Sequence, residues 1–327
     1  MKVRERGQAA LSVTNGNCSQ SPITITMTTK TKPPAIDKFE LVSNQIIEIL
    51  ERGVKPWERP WFGDAPMNLI SGHVYKGQNP LLCGISMLYY EHKRPHYVGL
   101  TQGRELGWKL IKGSKSTWIK WGGSASKEVE NADGSVDKES FSFAKWHNVF
   151  NVECWDDSES DRKVSEFAVA VGKPKPTDWL ISDAERFVAK QEVSVVFGGD
   201  RAFYSPAVDK IMVPEFHSFT SVEAYYATLL HEFGHSTGHQ KRLNRDMTGG
   251  FGSDKYAKEE LIAELTAAFL CNELQLTPRL EHHASYIGSW LQGLKNDKKY
   301  FFDAVASAKR ASEFLMTKAG IPQAVAV

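Results

Sequence analysis

"LLHEFGHSTGHQKRL", Leu229 to Leu243, brings His231, Glu232, His235 and His239 into one short run. Residues four apart share one face of a helix, so His231 and His235 can reach a single cation. Neutral imidazole suits zinc, and a catalytic zinc keeps one position open for water. Glu232, next to the first histidine, is placed as the catalytic base that takes a proton from that water and hands it to a leaving amine. This is the His-Glu-x-x-His pattern of zinc peptidases. The preceding "YYATLL" reads as a buried helix and strengthens the match.

His239 continues the four-residue spacing, but on a straight helix it rises too far past the cation to complete a tetrahedron. A site with its third histidine six residues after the second needs one at 241, where the chain has Lys241. The other source is "YAKEELIAELTAAFL", Tyr256 to Leu270, an amphipathic helix with an Ala-rich packing side. Glu260 and Glu264 share one of its faces, and a carboxylate on a packed side needs an ion or a histidine N–H nearby. Glu260 is assigned as the third ligand and Glu264 as the acid that fixes a ligand histidine's tautomer, with the reverse assignment left open. Glu259, about 100° round the helix, is expected in solvent. His239 and Tyr204 are weaker candidates for substrate contact in the cleft, the plainer readings being a helix-end histidine for His239 and packing for Tyr204, and "DKIMVP" is a candidate for an edge strand that takes an extended substrate by strand addition.

Working outward, 327 residues suffice for two domains, and 41% hydrophobic with 24% charged residues is the composition of an ordinary globular protein. A net charge of +1 excludes an acidic DNA mimic. The four cysteines are scattered, with no CxxC pair, so neither a zinc ribbon nor a disulfide framework is indicated and a reducing cytoplasm fits. There is no long apolar run and no signal peptide, so no membrane partner is expected.

Residues 1–35 are rich in Ser, Thr, Asn and Lys and read as a flexible tail. "KFELVSNQIIEILERG" reads as a helix ended by Gly53. Ser126 to Ser140 is polar and reads as a mobile loop or hairpin tip between segments rich in β-formers. Helices follow near 220–240, 254–275, 280–294 and 298–318, after a strand "EVSVVFG" and a hairpin closed by Pro214.

Seven of the nine tryptophans precede residue 160, and between His92 and Gly122 seven bases face the single acid Glu105. Bases interleaved with aromatic rings suit single-stranded nucleic acid, with charges tracking phosphates and rings stacking on bases. The candidates are Trp57, Trp61, Lys93, Arg94, Arg104, Trp108, Lys109, Lys112, Lys115, Trp118, Lys120 and Trp121. The plainer alternative is that several of these tryptophans, Trp57 and Trp61 above all, pack a core.

Three stretches together resemble the ArdC antirestriction family of conjugative plasmids. They are "ILERGVKPWERPW" with "GHVYKGQNPLL"; "LTQGRELGWKLIKGSKSTWI" with "NVFNVE"; and "HEFGHSTGHQKRLNRDM" with "FGSDKYAKEELIAELTAAFL". The metal-site residues match at His231, Glu232, His235, Glu260 and Glu264; the tail before Met27 and the insert near Asn131 depart. The resemblance implies a single-stranded-DNA-binding domain, a zincin-like metallopeptidase domain of the gluzincin type, and protection of incoming DNA from host restriction endonucleases. The expected fold is α+β: a tail over 1–35, a mixed α/β DNA-binding domain over 36–157, a linker over 158–177 and the zincin-like domain over 178–327. One divalent metal is expected, zinc first and manganese next. The expected partners are single-stranded DNA and, as a target, a restriction endonuclease or another DNA-bound protein. Two other readings share these features: a DNA-coating protein whose metal is structural, and a DNA-dependent protease acting on DNA-bound proteins.

Overall fold

Asp37 opens the first helix by accepting the backbone N–H of Phe39 at 3.0 Å, and α1 (Lys38–Glu51) buries Val42, Ile46, Ile49 and Leu50 on one face. The computed structural model describes residues 37–57, 65–130, 136–167, 177–250, 252–276 and 286–321. The expected tail over 1–35 and Trp61 lie outside them. After β1 (Met67–Asn68), Pro80 enters the first turn of α2 (Asn79–Tyr90), where its missing N–H costs nothing. A four-stranded sheet in the order β1-β2-β5-β4 then forms from β2 (His96–Gly99), β4 (Thr117–Glu130) and β5 (Val136–Asn151), with α3 (Leu100–Glu105) following β2. β3 (Lys109–Leu110) pairs with β6 (Trp155–Asp156).

The β4–β5 ladder runs from Thr117↔Val149 to Glu130↔Val136. The polar tract, expected as a loop or hairpin tip, is the far part of this hairpin, with Ser126–Glu130 paired to Val136–Ser140.

The second half begins with α4 (Thr177–Ala189), followed by β7 (Ser194–Phe197), β8 (Phe203–Ser205) and β9 (Lys210–Val213), and then α5 (Val222–Ser236), α6 (Asp254–Leu274), α7 (Ile287–Asn296) and α8 (Tyr300–Lys318). The three strands are ordered β7-β9-β8, so "DKIMVP" is the central strand and not the expected edge. A hairpin reading pairs β9 with β8 alone; the parallel β7–β9 ladder, Ser194↔Lys210 to Phe197↔Val213, comes from a crossover that local sequence does not announce.

One core joins the two halves: Val42, Ile46, Leu81 and Ile85 pack with Leu261, Leu265, Trp290 and Phe301. A second lies under the three-stranded sheet and includes Phe187, Ile211, Val213, Tyr226, Phe233 and Leu270. Residues 157–167 fold back on the first half, where Trp108 Nε1 donates to the Arg162 carbonyl at 2.6 Å. Among the described residues, no helix is long and apolar enough to cross a membrane.

Candidate metal centre and strand-binding face

Ser221 caps α5 by accepting the Ala224 N–H at 3.1 Å, and Ser253 caps α6 through Tyr256 N at 3.2 Å. These helices cross at Gly234. A Cβ there would sit 3.1 Å from Ala263 Cα and 3.2 Å from Thr266 Cβ, so glycine lets the backbones close up. The approach sets the α5 histidines against the α6 carboxylates. α5 ends at Ser236, and His239 falls in the turn beyond, with Nδ1 accepting from Lys241 N at 3.2 Å.

His231 Nε2 and His235 Nε2 are 3.1 Å apart. Glu260 Oε2 lies 3.5 Å from the first and Oε1 3.4 Å from the second. One ligand atom from each of the three lies within 4.8 Å of the others, and among the described residues no other such cluster occurs. Glu232 is buried beside them at 6% exposure.

Glu259 is not in solvent. It is 7% exposed, with Oε1 3.3 Å from His235 Nδ1. Arg245 grips it with two hydrogen bonds, Nη2 to Oε1 at 2.6 Å and Nε to Oε2 at 2.9 Å. The same guanidinium donates to Thr237 Oγ1 and to the Gly234 carbonyl, tying the α5 end to α6. A turn of 100° does not reach water because α6 is buried around most of its girth, from Ala257 through Glu259, Leu261 and Ile262 to Ala268. That Ala-rich composition on both sides was the available signal.

Glu264, fully buried, accepts from Trp57 Nε1 at 3.2 Å and pairs with Lys55 Nζ at 3.4 Å, both from the first half. Tyr256, one turn before Glu260, hydrogen-bonds that carboxylate and Tyr286. Four buried carboxylates, Glu232, Glu259, Glu260 and Glu264, thus face two largely buried cations, Lys55 and Arg245. A divalent ion held by His231, His235 and Glu260 would offset this excess of negative charge. Burial alone would lower the pKa of His235, but its hydrogen bonds to Glu259 and Glu260 outweigh that and raise it to about 10. The pocket therefore favours positive charge, and the donor set fits a divalent metal.

Tyr204 is buried, and its hydroxyl is bound to Asp209 at 2.7 Å and Arg242 at 3.0 Å, which leaves it as part of the fold. Arg242 Nε also donates to the Ser236 carbonyl at 2.6 Å, closing the end of α5.

The aromatic and basic candidates divide sharply. Trp57 and Trp108 are 1% and 2% exposed and belong to cores, so neither offers a ring face to a base. Lys120 Nζ sits 4.8 Å from the Trp146 ring, 5.0 Å from Phe302 and 5.2 Å from Phe39, and this burial lowers its pKa. Lys109 pairs with Glu159, and Lys38 lies over the half-buried Trp118 ring. Lys93, Arg94, Arg104, Lys112, Lys115 and Trp121 are exposed.

Residues 182–307 match a zincin-like metallopeptidase domain, and residues 37–150 match the N-terminal domain of anti-restriction factor ArdC. The chain is 31% identical to the uncharacterized protein y4eC of Sinorhizobium fredii over 302 residues, 88% of this chain and 94% of that one. It is 33% identical to the DNA primase TraC of Escherichia coli over 298 residues, 85% of this chain but only 27% of the primase. Crystal structures of the antirestriction ArdC protein from plasmid R388 superpose with TM-scores of 0.64 (metal-free, 30% identical) and 0.63 (Mn(II)-bound, 28% identical), covering 88% of this chain and 100% of theirs. The chain is a mixed α/β protein whose second half is a zincin-like metallopeptidase domain. It belongs to the ArdC antirestriction family.

Proposed function

We propose that the protein binds single-stranded DNA, shields incoming DNA from host restriction endonucleases, and carries a metal-dependent peptidase centre. The observation that carries the peptidase reading is the convergence of His231, His235 and Glu260 beside the buried Glu232. His231, His235 and Glu260 would hold the ion, with zinc or manganese as candidates; manganese gains support from the Mn(II)-bound R388 relative. Bound there, a divalent ion would supply Lewis acidity toward a peptide carbonyl and its attacking water. Glu232 accepts a proton from that water and returns it to the leaving amine. Glu259 holds His235 by its Nδ1, and Arg245 holds Glu259.

On the DNA side, Lys93, Arg104, Lys112 and Lys115 are exposed charges that phosphates could meet, in support of the strand-binding reading, whereas Arg94 lies 3.9 Å from Glu153. Glu232→Gln tests the whole. Cleavage of an unstructured protein such as casein, assayed with Mn(II) or Zn(II), should disappear while metal and strand binding persist. Unchanged cleavage would sink the mechanism. The same variant in a conjugation assay separates the activities: full protection of transferred DNA means that coating alone suffices.

A further inference from the structure

Glu264, one turn after Glu260 on α6, is fully buried, so its carboxylate oxygens need donors from the protein. Trp57 Nε1 donates to Oε2 at 3.2 Å and Lys55 Nζ to Oε1 at 3.4 Å. Both donors are buried and come from the short segment that follows α1 in the first half. The same indole reaches α6 by a second route. Its ring packs on Trp290 of α7, with centroids 5.3 Å apart, and Trp290 Nε1 donates to the Ala257 carbonyl of α6 at 2.8 Å. The Trp290 ring is 6.0 Å from Tyr286, and Tyr286 is 5.8 Å from Tyr256, which hydrogen-bonds Glu260.

Trp57 therefore bears on α6 at both glutamates, directly at Glu264 and through the rings of Trp290, Tyr286 and Tyr256 at Glu260. Between the two glutamates in sequence lies Ala263, the residue against which Gly234 of α5 closes. The roll of α6 about that contact sets how far Glu260 stands from His231 and His235, and a dense interior transmits a small shift rather than absorbing it. We infer that Trp57 and Lys55 are positioning residues of the candidate metal centre: by holding Glu264 they fix α6, so that Glu260 meets the two histidines only when this segment of the first half is seated. Neither residue belongs to the ligand cluster, and both act through Glu264. The inference rests on the metal-dependent reading above and adds that the second half does not complete its own centre.

The test uses the full-length chain with Trp57→Phe, which keeps an aromatic ring and removes the N–H. Co(II) affinity is read by chelator competition, and the visible absorption band of bound Co(II) reports its geometry. Trp57→Phe should weaken Co(II) binding about 10-fold, the lower end of what partners around a ligand set contribute, and shift the band. Combined with Glu264→Gln it should cost less than the product of the two single losses, because the indole N–H acts through that carboxylate. Casein cleavage should lose kcat at unchanged KM. Lys55→Gln, which keeps a donor and removes the charge, should weaken Co(II) binding too, and it decides the case if Trp57→Phe does not fold. Affinity and band equal to the parent's in folded variants, or losses that multiply independently in the double variant, overturn the positioning role and leave the metal reading standing. A parent that binds Co(II) but cleaves nothing sinks the peptidase reading, while affinity and band still decide the role of Trp57. No Co(II) binding by the parent overturns the metal reading and the positioning role together.

Discussion

The indole N–H of Trp57 donates to Glu264 Oε2 at 3.2 Å, so a tryptophan of the first half closes onto the helix that carries Glu260. Lys55 reaches the same carboxylate at 3.4 Å, at 7% exposure. Removing one partner of a buried ion pair leaves the other uncompensated, at a cost of about 3–5 kcal/mol. Lys55→Met should lower stability by that order, and adding Glu264→Gln should recover part of it. Urea unfolding of the single and double variants measures both.

The grip of Arg245 on Glu259 makes a separate claim about metal affinity. An acceptor on the far nitrogen of a ligand histidine typically contributes 10- to 100-fold. Glu259→Gln should weaken binding by about that factor in competition with a chromophoric chelator. Arg245→Lys should weaken it too, since an ammonium cannot make the two-pronged contact. Affinity unchanged in both would show that His235 is oriented by something else.

Gly234 sits where α5 meets α6, and the 3.1 Å approach to Ala263 Cα involves backbone that cannot swing aside. Gly234→Ala should cost about 1–3 kcal/mol by overpacking. Because the shift parts the histidines from Glu260, the stabilisation on adding Mn(II) should shrink as well, read as the rise in unfolding midpoint.

Arg242 binds Asp209, the Tyr204 hydroxyl and the Ser236 carbonyl at the end of α5. The hydrogen bond from Arg242 holds the Asp209 pKa down at about 2. A depressed pKa gives stability that is present above the unfolded value of about 3.9 and is lost as pH falls through the folded one. Between pH 5 and 2, Asp209→Asn should therefore lose less of its thermal midpoint than the parent does. Parallel curves would mean that this contact contributes nothing to acid stability.

Much of the candidate metal centre was readable from spacing. Four-residue intervals on helices place His231 with His235, and Glu260 with Glu264, whatever else the chain does. The long helices were readable for the same reason. What spacing could not reveal is which side of a helix meets water. Glu259 was misplaced because α6 is buried around most of its girth, and "DKIMVP" because its second neighbour, β7, arrives by a parallel crossover. The tryptophans fared likewise: composition marks them as aromatic, and only packing sorts buried Trp57 and Trp108 from exposed Trp121.

The sequence by itself put His231 with His235 on one helix face and Glu260 with Glu264 on another, since local helical geometry fixes which side chains can share a face, and it left the choice between the two glutamates open. The tertiary structure alone decided what surrounds them: Glu259 and Arg245 behind His235, Tyr256 on Glu260, Lys55 and Trp57 on Glu264. Those contacts join residues up to 209 positions apart. No local rule links them; they exist because burying four carboxylates demands compensating charge and donors wherever the folded chain can supply them.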